Sequence, residues 1–214
     1  MKFKNKSVQI SCDGGAATGK STGARMIARK YKLKFLSSGL LYRYASFLIL
    51  KHKPENKVNF LRKKFLKLNY RNLKKINLHT QIISKHSSII AKNNDVRKIL
   101  KKFQLNFAKK NKNCCIEGRD ISTKILPNSN VKFYFTCNLS IAAKRRYKEL
   151  KKIDPTVKLK NVKKALRIRN LSDTKRKHSP LLKHRNSVSI DTGKLNKKAM
   201  LKKMTKYVEE FLQK

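Results

Sequence analysis

The sequence predicts an α/β fold in which about five parallel strands form a sheet with helices on both faces. Three observations predict it: short strand-like segments alternate with helical patterns, a glycine-rich turn joins the first strand to the first helix, and strands occur near both ends of the chain. Of the 214 residues, 39% are hydrophobic, which is enough for a core. This length fits one domain, or one domain carrying an inserted lobe.

The first elements follow from local signals. Apolar alternation predicts a strand at 7–12. A glycine-rich turn and a helix at 20–31 are predicted to follow, and then a short second strand at 34–36. Ser38 is predicted as the N-cap of the next helix, which has apolar residues at helical spacing. Pro54 marks the end of that helix, because proline cannot continue a helical hydrogen-bond ladder.

Residues 55–110 interrupt the alternation of strands and helices. Their apolar spacing predicts helices near 60–68, 80–91 and 95–107, with Asp95 as the N-cap of the last. We therefore interpret this stretch as an inserted helical lobe.

The alternation resumes after residue 110. Strands are predicted at 113–117, 131–136 and 187–190, and helices at 139–150, 157–172 and 195–212. The predicted core therefore consists of 1–54 and 111–214.

The charge of the chain raises the question of a nucleic-acid partner. There are 56 Lys+Arg against 11 Asp+Glu, a formal net charge of +45. The lysines are spread along the whole chain rather than clustered among aromatic residues, which is typical of a lysine-coated surface. We therefore expect no specific nucleic-acid partner.

Hydropathy and cysteine placement indicate where the protein works. The longest apolar run, around 47–50, is far shorter than the roughly 20 residues of a membrane span, and no signal-peptide pattern precedes the first strand. The cysteines at 12, 114, 115 and 137 lie in or beside apolar runs without metal-ligand spacing, so we expect reduced side chains. These features predict a cytoplasmic protein that does not contact a membrane.

One motif carries specific chemistry. The pattern G-x-x-x-x-G-K-[ST] is matched by Gly14, Gly15, Ala16, Ala17, Thr18, Gly19, Lys20 and Ser21, followed by Thr22. A strand precedes this loop and a helix follows it, so backbone N–H groups would surround phosphate oxygens. Lys20 is expected to reach the β- and γ-phosphates of ATP, and the Ser21 hydroxyl to bind Mg²⁺.

Arginines occur at selected points of a chain that otherwise prefers lysine. Arg43, Arg119, Arg145 and Arg146 follow predicted strands, Arg97 lies on the last predicted helix of the lobe, and Arg169 and Arg176 flank Asp173 in a basic segment. Ligands of doubly wound sheets bind at the carboxyl edge of the strands. A guanidinium binds phosphate with two parallel hydrogen bonds, so these positions indicate an anionic second substrate.

Several motifs follow one another in a recognisable order. They are DGGAATGKST at 13–22, SGLLYR at 38–43, EGRDIST at 117–123, RRY at 145–147, R-x-x-x-D-x-x-R at 169–176 and DT at 191–192. Together they resemble the bacterial cytidylate kinases, a family of nucleoside-monophosphate kinases. The resemblance covers nearly the whole chain.

The resemblance implies ATP-dependent phosphorylation of CMP, and of dCMP, to the diphosphate by a P-loop kinase. The sequence carries no signal for oligomerisation, and a monomer is our default expectation. It implies that 55–110 form the monophosphate-binding lobe and that 152–178 form a lid. It places Ser88, Arg97 and Asp120 by the cytosine, Ser38, Arg169 and Asp173 near the sugar, and Arg43, Arg119 and Arg176 on the monophosphate. Charge on the transferred phosphoryl group would be stabilised by Lys20, Arg119, Arg145, Arg146 and Arg176.

Departures from the family pattern, and two alternatives, remain. Ser37 stands where the family usually has Asp, His79 where the lobe usually has Arg, and Ser122 where a Gly is usual. A second interpretation is another small P-loop kinase, acting on a different monophosphate, on shikimate or on dephospho-coenzyme A. A third is a basic nucleic-acid-binding protein without kinase activity.

Overall fold

Residues 6–213 are described by a computed structural model, in which the chain divides into two units. One unit comprises the described residues up to Leu36 together with those from Lys112 onward. It contains the sheet and is termed the core unit. The other comprises Ser37–Asn111 and is termed the helical unit.

Five parallel strands form the sheet. They are β1 (Gln9–Gly14), β2 (Lys34–Ser37), β3 (Cys114–Gly118), β4 (Val131–Thr136) and β5 (Val188–Asp191). Their order is β2-β3-β1-β4-β5, so β1 lies at the centre and pairs in parallel with both β3 and β4. The register places Cys12 beside Glu117 and Asp13 beside Gly118. The predicted five-stranded parallel sheet is confirmed.

Eight helices accompany the strands within the described residues. They are α1 (Lys20–Lys30), α2 (Ser38–His52), α3 (Lys57–Leu66), α4 (Gln81–Ile90), α5 (Asn94–Lys110), α6 (Leu139–Lys151), α7 (Leu159–Lys175) and α8 (Lys197–Gln213). A 3₁₀ turn at Tyr70–Lys75 and a π-helical turn at Ile121–Ile125 were not predicted. Over residues 6–213, no helix combines the length and the apolar character that a membrane crossing would require.

Two apolar clusters position the helices of the core unit. The larger cluster packs α1 and α8 against the sheet, with Ile27, Phe133 and Met204 buried in it. Full burial of one such side chain stabilises the fold by about 1.5–3 kcal/mol. The smaller cluster joins α6 and α7 to the glycine-rich loop through Ala143, Leu166 and Ala16. The loop after β1 is therefore held by packing as well as by its own backbone.

Two predicted helix caps are wrong by one or two positions. Ser37, not Ser38, caps α2, because its hydroxyl accepts a hydrogen bond from the Leu40 N–H at 3.3 Å. Asn93, not Asp95, caps α5 by accepting from the Val96 N–H at 3.0 Å. In both cases the earlier residue has the extended backbone that a cap requires, whereas the predicted residue already lies inside the helix.

The helical unit begins earlier than the lobe that the sequence suggested. The sequence places the start of the lobe at residue 55, whereas the helical unit starts at Ser37. The physical reason is that α2 packs against α4 and α5 inside this unit. Helix α2 ends at His52, two residues before Pro54, as predicted.

Candidate active site

The glycine-rich loop closes tightly between β1 and α1. A Cβ atom at Gly14 would lie 2.5 Å from the backbone oxygen of Phe135 on β4, so a larger residue would collide with the neighbouring strand. Gly19 is the N-cap of α1 and has φ +75°, which is the left-handed region that favours glycine. Helix α1 therefore begins at Lys20, and the loop precedes its positive end.

Lys20 and Ser21 meet one carboxylate at the end of β3. The Lys20 ammonium forms an ion pair with Glu117 Oε2, and the Ser21 hydroxyl donates to Glu117 Oε1 at 3.1 Å. Lys20 and Glu117 are both buried. Burial lowers the pKa of Lys20, and the charge of Glu117 opposes this shift. The ion pair thus holds the ammonium in a site that is largely removed from water.

Glu117 had no role in the sequence-based prediction of the site. Its signal in the sequence is an acidic residue at the carboxyl end of a buried strand next to the phosphate loop, which is where P-loop enzymes place a magnesium-binding carboxylate. A hydroxyl and a carboxylate are the hard oxygen donors that Mg²⁺ prefers. Because Mg²⁺ sites commonly combine one or two carboxylates with substrate phosphates, this pair fits a metal that arrives with the nucleotide.

Asp13 fixes the turn that follows β3. Its buried carboxylate accepts hydrogen bonds from the N–H groups of Ile121 and Ser122, at 2.8 and 2.7 Å, and from the Ser122 hydroxyl at 2.6 Å. Burial raises the pKa of Asp13, and these hydrogen bonds work against the shift. Ser122, which departs from the family pattern, thus adds a third donor to a buried carboxylate that a glycine would not supply.

Four of the predicted site residues form one charged network in the core unit. Arg119 Nε donates to Asp173 Oδ2 at 2.9 Å, and Arg176 lies 3.5 Å from Asp173 Oδ1 and 3.8 Å from Asp120 Oδ1. The Arg176 side chain is 6% exposed. Each arginine is therefore oriented by a carboxylate in partly desolvated surroundings.

This network should make the free energy of unfolding depend on pH in the acidic range. Burial tends to raise the pKa of Asp173, but the charges of Arg119 and Arg169 outweigh burial and hold that pKa below its usual range. The unfolded chain therefore binds the proton more readily, so this contribution is present at neutral pH and is lost as the pH falls below about 5 toward the lowered pKa. We expect Asp173→Asn to flatten the acid limb of unfolding free energy measured with urea between pH 7 and pH 3. An acid limb as steep as in wild type would contradict this, and Asp95→Asn, at an exposed position of α5, is the control.

Arg145 and Arg146 face different partners. Arg145 donates to the hydroxyl and the carbonyl oxygen of Thr192, at 2.9 and 2.7 Å. The Thr192 hydroxyl in turn donates to the Thr18 carbonyl oxygen at 2.8 Å, so Arg145 is linked to the phosphate loop. Arg146 pairs with Glu149 one turn along α6, at 2.9 Å. Thr192 lies in the DT motif at 191–192, but the sequence did not predict that it would connect Arg145 to the loop.

Within the helical unit, Ser84 organises two predicted site residues. Arg43 donates to the Ser84 hydroxyl at 2.7 Å, and the Ser88 hydroxyl donates to the Ser84 carbonyl oxygen at 3.3 Å. Ser84 was not identified from the sequence, since a serine in a helix carries no distinctive signal. Arg43 and Ser88 are thus brought to the same turn of α4.

The other predicted residues of the helical unit are largely buried. Arg97 donates to the Ala91 carbonyl oxygen at 3.1 Å, and its guanidinium lies 5.7 Å from the centre of the Tyr42 ring. Ser38 is buried in the first turn of α2. These contacts hold the Arg97 guanidinium in one orientation, which a residue that recognises a ligand would require.

Comparison with known proteins gives consistent results. A family model described as cytidylate kinase matches residues 10–210. The chain is 36% identical over 192 residues to the cytidylate kinase of Bartonella tribocorum, covering 87% of each protein. It is 33% identical over 204 residues to the cytidylate kinase of Rickettsia africae, covering 94% of this chain and 91% of that protein.

Solved structures resemble the chain in fold. A shikimate kinase from Bacteroides thetaiotaomicron has a TM-score of 0.53 at 10% identity, covering 98% of this chain and 100% of its own. An uncharacterized protein from Eubacterium ventriosum has a TM-score of 0.56 at 15% identity, covering 96% and 99%. At these identities the likeness concerns the fold and not the substrate.

Proposed function

The chain belongs to the cytidylate kinase family, and from that premise we propose that it transfers the γ-phosphoryl group of ATP to CMP, and also to dCMP. The observation that carries the proposal is the contact of Lys20 and Ser21 with Glu117 at the start of α1. A phosphate loop, its lysine and a metal-binding carboxylate are the parts that phosphoryl transfer from ATP requires.

The loop and its charged side chains would bind the triphosphate. Backbone N–H groups and the positive end of α1 attract phosphate oxygens, and Lys20 would exchange Glu117 for the phosphates. Ser21 and Glu117 would then hold Mg²⁺, which neutralises developing negative charge when it is bound. The exchange would leave the lysine charge paired at each stage, because one anion replaces another.

The acceptor is a phosphate and is already an anion, so no strong general base is needed. The enzyme's task is to hold two repelling phosphate groups in line and to stabilise the charge of the transferred group. We assign the CMP phosphate to Arg43, Arg119 and Arg176, with Lys20, Arg145 and Arg146 supporting transfer. The guanidinium group of an arginine can bind a phosphate through two parallel hydrogen bonds, whereas the ammonium of Lys20 acts as a point charge.

Recognition of the nucleoside is assigned by the family resemblance. Ser88, Arg97 and Asp120 are proposed to contact cytosine, and Ser38, Arg169 and Asp173 to lie near the sugar. The contacts of Arg97 with Ala91 and Tyr42 support this assignment, because they fix its guanidinium in one orientation.

Residues 152–178 are proposed as a lid over the phosphates. This segment contains α7, which carries Arg169 and Asp173 and ends before Arg176. Its closure would exclude water, and that would suppress hydrolysis of ATP.

A substrate panel tests the proposal. We expect ATP-dependent ADP release with CMP and with dCMP, and kcat/KM for AMP, shikimate and dephospho-coenzyme A to be lower by at least about a hundredfold. UMP completes the panel. A higher kcat/KM for another acceptor would favour a different P-loop kinase. RNA binding with a steep salt dependence and without formation of CDP would favour the nucleic-acid interpretation.

A further inference from the structure

A side chain of α7 contacts the backbone of the phosphate loop. Asn170 Oδ1 accepts a hydrogen bond from the Ala16 N–H at 3.0 Å. These two residues are separated by 154 positions in the sequence, and both belong to the core unit. The loop N–H is thus already satisfied by a neutral oxygen of the protein itself.

The loop leaves room for this carboxamide. A Cβ atom at Gly15 would lie 3.2 Å from Asn170 Oδ1 and 3.5 Å from its Cγ, so a side chain at Gly15 would push Asn170 away. Beside it, Leu166 of α7 packs in the same apolar cluster as Ala16. Helix α7 therefore contacts the loop in two ways. Leu166 packs against Ala16, and Asn170 accepts the hydrogen bond of the Ala16 N–H.

An N–H group has one hydrogen to donate. Loops of this kind bind phosphate by turning successive N–H groups toward phosphate oxygens. As long as Asn170 holds the Ala16 N–H, a phosphate oxygen has no access to it. A carboxamide oxygen is a weaker acceptor than an anionic phosphate oxygen, so the nucleotide would win the exchange at a cost in affinity.

We propose that Asn170 is a positioning residue of the nucleotide site, whose carboxamide oxygen takes the place of a phosphate oxygen until ATP displaces it. The inference rests on the proposed use of ATP and adds a device that sets ATP affinity. The apolar packing of Leu166 against the loop does not depend on this hydrogen bond, so α7 would stay in place when the Ala16 N–H changes its partner.

The test compares Asn170→Ala with Asn161→Ala, an exposed asparagine on the same helix. Calorimetry on the full chain should give an ATP Kd about two- to tenfold tighter for Asn170→Ala, corresponding to the net strength of one neutral hydrogen bond. The Kd for inorganic tripolyphosphate should fall by the same factor in Asn170→Ala, and the Kd for CMP should not change. Asn170→Asp should instead weaken ATP binding, because its carboxylate repels the triphosphate.

Hydrogen exchange of the Ala16 amide provides a second, ligand-free readout. Exchange should be faster in Asn170→Ala than in wild type and unchanged in Asn161→Ala. An unchanged exchange rate, or an ATP Kd that is unchanged or weaker in Asn170→Ala, would overturn the inference. If wild type did not bind ATP at all, the proposed function would fail, and the Ala16 exchange rate would still decide whether the contact exists.

Discussion

Lys20→Met is expected to lower kcat by at least about a hundredfold, because it removes the ammonium that would stabilise charge on the β- and γ-phosphates. The lysine stands at the first position of α1, directly after the left-handed Gly19. It is buried in an ion pair with Glu117, so the side chain is held where the loop would bind the phosphates. Turnover is measured by ADP release with saturating ATP and CMP.

The same substitution should also destabilise the fold, and this effect has to be separated from catalysis. Removing Lys20 leaves the buried Glu117 carboxylate without its ion pair, which costs about 3–5 kcal/mol. The double variant Lys20→Met with Glu117→Gln removes both charges and should recover most of that stability without recovering turnover. Lys202→Met on the exposed face of α8 is the control. Turnover of Lys20→Met within a few-fold of wild type would refute the assignment.

Arg119→Ala is expected to lower turnover by at least about a hundredfold, since the guanidinium is assigned to the CMP phosphate in the ground state and during transfer. Arg119 lies just beyond the end of β3 and is aimed by Asp173 at 2.9 Å. Arg119→Lys keeps the charge but loses the planar fork, so it should recover part of the rate and leave the KM for CMP raised.

Arg167→Ala, at an exposed position of α7, is the matched control for this experiment, and it should behave as wild type. Loss of Arg119 also removes a charge that lowers the pKa of Asp173, so thermal unfolding at neutral pH must be compared in parallel. A folded Arg119→Ala protein with an unchanged KM for CMP and normal turnover would show that Arg119 does not touch the acceptor.

Elements and motifs that depend on neighbouring residues were predictable from the sequence. The strand β4 was predicted with its observed bounds, because alternating and apolar residues report directly on a buried strand. The loop from Gly14 to Ser21 was equally predictable, since its glycines, its lysine and its serine hydroxyl all lie within one short continuous segment. The caps at Ser37 and Asn93 were missed by one or two residues, because several polar residues near each helix start could serve.

The sequence by itself determined which chemical groups the protein carries and in which order: a parallel sheet, a phosphate loop and arginines after the strands. The tertiary structure decided which of these groups meet. Glu117 reaches Lys20 because parallel pairing of β1 with β3 brings together residues 97 positions apart. Asn170 reaches Ala16 because α7 packs on the loop through Leu166. Such contacts arise from sheet register and helix packing, and neither leaves a pattern in the neighbouring residues.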